Sequence, residues 1–91
     1  MKIVLNKRYG GFSIPDAYLE SIGEEWLSAE EARTDPRFIE WLETHHNGVF
    51  AGRHSKLCVR ELPEGITDWE VDEYDGFETA TYVLNGKLGH A

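Results

Sequence analysis

Carboxylates and histidines are the residues of this chain whose types could do chemistry. Glu70, Asp72 and Tyr74 recur at every second position, so on a β-strand they share one face. Two carboxylates on one face can move protons or hold a hard cation. Either task needs a pocket, and a solvated strand face is the simpler expectation. Asp72-Glu73-Tyr74-Asp75-Gly76 has a superficial similarity to a calcium loop. It lacks the alternating Asp or Asn ligands and the closing glutamate of such loops. His45, His46, His54 and His90 supply imidazoles. Adjacent histidines on a helix point about 100° apart, and no His-x-x-x-His or Cys-x-x-Cys spacing is present. The expectation is helix-end histidines facing water, with no metal. Tyr9-Gly10-Gly11-Phe12 stands between a strand signal and a helix start, where a phosphate-cradling turn would stand. It lacks the three-glycine fingerprint and the Walker lysine and serine. Lys7, Arg8, Gly10 and Gly11 therefore form an alternative anion- or nucleotide-binding site. The simpler expectation is a tight turn that packs Tyr9 and Phe12 into the core. Ser13 has no nucleophile-elbow context. The residues thus point to a non-enzymatic protein with no catalytic residue and no cofactor.

Charge is distributed unevenly. Glu61, Glu64, Asp68, Glu70, Asp72, Glu73, Asp75 and Glu78 fall in one stretch, and no Lys or Arg occurs from Glu61 through Gly86. The other nine acids balance nine Lys and Arg, so this stretch carries the whole net charge of −8. Such an excess repels nucleic-acid phosphates and anionic lipid heads. Direct nucleic-acid or membrane binding is not expected, and a basic protein surface is the permitted partner. Solubility alone is the bland account of the same charge.

Local signals sketch the elements that would position these residues. Ile3-Val4-Leu5 is a continuous apolar run, which suits a central strand covered on both faces. Ser13 as N-cap and Pro15 just inside open a short helix running to Ile22, with Ala17, Leu19 and Ile22 toward the core and Gly23 as its stop. Ser28 followed by Glu31 is a capping box for a helical turn over residues 29–33. Asp35-Pro36 starts a third helix, whose apolar face holds Phe38, Ile39, Trp41 and Leu42 and which ends at His46 before Asn47-Gly48. Val49 to Ser55 reads as loop. Strands follow over Lys56–Leu62, Asp68–Asp72 and Phe77–Val83, the last two joined by the hairpin signal Asp75-Gly76. Asn85-Gly86 marks another turn, after which Lys87 to Ala91 is expected to fray.

Strands grouped after helices argue an α+β fold: a short N-terminal strand, two to three short helices, then three strands in a mainly antiparallel sheet with helices on one face. The first strand would join that sheet across the helices. Ninety-one residues make one domain with a thin core, filled out by three Trp, four Tyr and four Phe. Homodimerisation is another way for so small a chain to add core. The sole cysteine, Cys58, lies in an alternating apolar stretch and is expected to be a buried, inert thiol. No apolar run reaches the roughly 20 residues of a membrane span, and the run at Ile3-Val4-Leu5 is too short for a signal peptide, so a cytoplasmic protein is expected.

The order of motifs resembles a family of small bacteriophage and prophage proteins. The matching segments are Asn6-Lys7-Arg8-Tyr9-Gly10-Gly11-Phe12-Ser13-Ile14, Asp35-Pro36, Leu57-Cys58-Val59-Arg60-Glu61-Leu62-Pro63, and Trp69-Glu70-Val71-Asp72-Glu73-Tyr74-Asp75-Gly76 with Glu78. The family brings no catalytic residues with it. The resemblance implies an accessory protein acting in a bacterial host, and by analogy an inhibitor of a host defence or nucleic-acid-processing enzyme. Glu70, Asp72, Glu73, Asp75 and Glu78 would then bind a basic surface, with Tyr74 as aromatic anchor.

Overall fold

The computed structural model describes residues 1–52 and 55–91 and, at position 46, the backbone alone. The chain runs β1 (Lys2–Asn6), α1 (Asp16–Ile22), α2 (Ala29–Arg33), α3 (Pro36–His46), β2 (Val49–Ala51), β3 (Lys56–Glu61), β4 (Asp68–Tyr74), β5 (Phe77–Leu84) and β6 (Lys87–His90). The class is α+β, as the grouping of signals predicts. The strands, however, divide into two antiparallel sheets, β1-β3-β2 and β4-β5-β6. β1 does not join the C-terminal strands. It pairs antiparallel with β3, Val4 opposite Val59 and Leu5 opposite Cys58.

This division follows from the apolar run in β1. Consecutive strand residues face opposite ways. Val4 packs with Tyr18, Ala32, Phe38, Ile39, Leu42 and Leu57 under the helices. Ile3 and Leu5 pack with Leu62 and Ala80 against the second sheet. The result is three layers: helices, first sheet, second sheet. β1 is covered on both faces, as its run of apolar residues requires, yet it stands at the edge of its sheet and not at the centre.

Two segments assigned as loop or tail form strands. Asn47 takes the left-handed conformation at φ 52, reversing the chain after α3. Val59 N–H then donates to Gly48 C=O at 2.7 Å, and β2 pairs with β3. At the C-terminal side, Asn85 (φ 52) and Gly86 (φ 75) form a turn with positive φ at both central residues, the kind that matches strand twist. β6 returns along β5, and Ala80 and Ala91 exchange backbone bonds of 3.1 and 2.8 Å. Pairing therefore holds the segment that was expected to fray.

The helix signals locate their helices, with one shift. Ser28 Oγ accepts from Glu31 N–H, and Asp35 accepts from Arg37 N–H with Pro36 at the first position. Burial works to raise the Asp35 carboxyl, but hydrogen bonds from Arg37 outweigh it and hold it below the usual range. In α1 the cap is Pro15, with no side-chain capping bond, and not Ser13. Pro15 C=O accepts from the amides of both Tyr18 and Leu19, so the helix begins two residues later than the serine suggests. Its buried residue is Tyr18, while Ala17 is exposed. Tyr18 reaches Phe38 and Trp41, with ring centroids at 4.7 and 5.6 Å. Cys58 is free and buried. Among the described residues no helix is long and apolar enough to cross a membrane.

The β4–β5 turn packs where the chain is tightest. A Cβ placed on Gly76 would lie 2.1 Å from Gly11 N and 2.7 Å from Gly10 N. Gly86 has a similar positive φ but open space around it. Gly86→Ala is expected to cost about 1–2 kcal/mol from the left-handed backbone alone. Gly76→Ala should cost about 1–3 kcal/mol more, because the Gly10-Gly11 backbone must move. Urea denaturation of both variants reads the difference directly.

Candidate functional site: the acidic hairpin

The hairpin of β4 and β5 carries most of the acidic stretch. Asp75 (φ 50) and Gly76 (φ 89) close it with the two-residue turn that Asp-Gly favours. The register sets Glu70 opposite Thr81, Asp72 opposite Thr79 and Tyr74 opposite Phe77. Glu70, Asp72 and Tyr74 therefore share the face turned away from the first sheet, and all three are exposed. Thr81 Oγ1 donates to Asp72 Oδ2 at 2.7 Å and steadies that carboxylate. Asp75 is exposed on the turn itself. Glu73 is exposed too, but parity puts it on the opposite face with Trp69 and Val71, where its carboxylate accepts from Gly76 N–H.

Glu78 does not belong to this surface. It is 6% exposed and lies inside the molecule. Its two carboxylate oxygens accept from the two terminal nitrogens of Arg33, each at 2.9 Å, a bidentate pair. Oε1 also accepts from Asn6 N–H at 2.8 Å. Arg33 donates further to Val4 C=O at 2.8 Å and lies 5.0 Å from the Phe12 ring. The buried carboxylate is a joint between α2, β1 and β5. Its inclusion among surface acids fails because a partner 45 positions away draws it inward.

The turn is pinned to the N-terminal segment. Gly10 N–H donates to Asp75 C=O at 3.0 Å. Asn6 Nδ2 donates to Gly76 C=O and Arg8 C=O, while its Oδ1 accepts from Lys56 N–H. Lys7 donates to the carbonyls of Glu78 and Ala91 at 2.7 and 3.0 Å. Burial, with the Arg60 charge, pushes the Lys7 ammonium below the usual lysine range. Arg8 donates to Gly52 C=O at 3.2 Å. The four residues of the alternative anion site thus do not converge on a common ligand position. Lys7 and Gly10 hold the hairpin, and Gly76 occupies the space against Gly10 and Gly11.

Tyr9 departs from its expected core position and is 63% exposed. It stands edge-on to Tyr74 at 6.4 Å and 5.5 Å from Phe77. Tyr74 is itself 72% exposed, so two tyrosines flank the turn in open view. No local signal distinguishes this Tyr9 from a buried one. Phe12, by contrast, packs against the helix-side core as expected.

The two histidine side chains that are described, His45 and His90, have separate local partners. His45 Nδ1 lies 2.8 Å from Trp41 C=O and its ring stacks on Trp41, while His90 Nδ1 lies 3.5 Å from Thr81 Oγ1. His54 and the His46 side chain lie outside the described residues. Among the described residues no group of three or more His, Cys, Asp or Glu is placed to hold a metal ion.

The geometry defines a small α+β domain with an acidic hairpin bonded to the N-terminal segment. The chain is similar to Porin O of Pseudomonas aeruginosa, with 27% identity over 84 residues. That match covers 90% of this chain and 19% of Porin O, so the chain spans about a fifth of the length of this relative. No family model matches the chain, and no solved structure matches it.

Because Arg33 and Glu78 are both largely buried, removing one charge strands the other. Glu78→Gln is expected to destabilise the fold by about 3–5 kcal/mol. Glu70→Gln, on the solvated face, should leave the urea midpoint in place. Equal midpoints for the two variants would show that the pair is not a structural joint.

Proposed function

We propose that this chain is a non-enzymatic binding protein whose acidic hairpin face docks on a basic surface of another protein. The observation that carries this reading is the display of Glu70, Asp72 and Tyr74 side by side on one ordered strand face. Asp75 and Tyr9 extend that face around the turn. These carboxylates form no ion pair among the described residues, and such groups steer a basic partner and select its orientation. Exposed tyrosines add contact area at small entropic cost, the usual make-up of an interface anchor. The hairpin is held by Asn6, Gly10 and Lys7, so little ordering is needed on docking.

The resemblance to bacteriophage and prophage proteins supplies the setting: an accessory protein in the cytoplasm of a bacterial host. A host defence or nucleic-acid-processing enzyme has the basic surface that such a face would cover, and covering it would inhibit the enzyme. The match to a fifth of Porin O assigns no pore function to this chain.

Affinity capture from bacterial lysate tests the reading. The parent chain should retain a basic protein that elutes as salt rises, and Glu70→Lys with Asp72→Lys should lose it. Recovery of the same protein by both forms, at the same salt, would overturn the proposal.

A further inference from the structure

β4 is an edge strand of the second sheet. A two-residue hairpin makes Tyr74 and Phe77 exchange both backbone bonds, and the pattern then alternates along the strand. Asp72 and Glu70 also bond to β5. Trp69, Val71 and Glu73 therefore turn their amides and carbonyls away from it. The mutual bonds of Ala80 and Ala91 follow the same alternation, since Ala80 stands opposite Val71 and must turn to β6.

The other edges are partly occupied or short. On β1, Val4 C=O is taken by Arg33 and Asn6 N–H by Glu78. β2 has 3 residues and β6 has 4. β4 has 7, and of its outward amides Trp69 N–H is occupied by its neighbour Asp68 at 2.9 Å. Among the described residues, the outward backbone groups of Val71 and Glu73 have no partner outside the sheet, and they lie beside an open cleft. That cleft, of about 470 Å³, is walled by Trp69, Val71 and Glu73 on the strand and by Glu30 and Thr34 on the α2 side, with the Arg33–Glu78 pair also lining it. The residues that offer backbone to the edge are the ones whose side chains line the cleft.

We infer that β4 accepts an extended basic segment of the partner as an added antiparallel strand. This rests on the proposed binding of a basic surface and specifies how it occurs. Pairing fixes what each incoming residue meets. A residue opposite Val71 exchanges backbone bonds with it and drops its side chain into the cleft against Trp69 and Val71, which favours an apolar side chain. Residues opposite Glu70 and Asp72 point to the outer face, which favours lysine or arginine. The segment read by this edge alternates basic and apolar residues. A second copy of β4 is the disfavoured occupant, because its acids would face acids across the new pair. Acids along an edge deter most strands from pairing there, and a basic strand is the kind they attract.

The probe is a blocked seven-residue peptide alternating lysine with valine, lysine at both ends, titrated into the full chain by calorimetry and amide-resolved NMR. Two further versions carry N-methyl groups on the valines or on the lysines. Antiparallel addition predicts that valine methylation weakens binding at least tenfold, while lysine methylation, on amides facing away, changes it less than threefold. Val71 and Glu73 amides should exchange more slowly in the complex. Equal binding of all three peptides, reduced by Glu70→Gln with Asp72→Asn, would overturn strand addition and leave the acidic-face reading intact. Failure of every peptide to bind the parent more tightly than that double variant would overturn both. A concentration-dependent dimer through β4 that excludes the peptide would also overturn the inference.

Discussion

Among the backbone groups of β1 that face away from β3 are the Val4 carbonyl and the Asn6 amide, and the ion pair of Arg33 with Glu78 satisfies both. Unpaired buried backbone groups are costly, and so are unpaired buried charges. Here each solves the other's problem. The guanidinium gives two hydrogens to the carboxylate and one to Val4. The carboxylate keeps an acceptor position for Asn6. Through this joint α2, β1 and β5 are fixed to one another, and with them all three layers.

The arrangement of the second sheet follows. β5 is tied to β1 by Glu78, and Lys7 adds bonds to the Glu78 and Ala91 carbonyls from the other end. Asn6 and Gly10 hold the turn. The hairpin is thus anchored at its closed end and along β5, while β4 is left outermost. Its outer face meets water, which suits Glu70 and Asp72. Its inner face is only partly covered, which leaves Trp69 and Val71 half-buried beside the cleft.

Charge plays two parts in one short stretch. Glu78 is buried and built into the fold. Glu70, Asp72 and Asp75 are solvated and form no ion pair among the described residues, which is the condition under which a surface steers a partner. Tyr9 and Tyr74 bring apolar area to the same side. The joint behind this face ties β5 to α2 and β1.

What the sequence by itself determined is local. Ser28 with Glu31, Asp35 with Pro36, and the reversal at Asn47-Gly48 mark α2 and α3 because a helix end depends on a few neighbouring residues. Asp75-Gly76 marks the hairpin for the same reason, and alternation placed Glu70 and Asp72 outward. The apolar run of β1 required cover on both faces. Tertiary structure alone decided which strands share a sheet, that β2 and β6 exist, that Tyr9 faces water and that Glu78 does not. Those outcomes depend on pairing partners far along the chain. An acid has the same local signature whether an arginine 45 positions away reaches it or not, and only the packed layers bring that arginine within 2.9 Å.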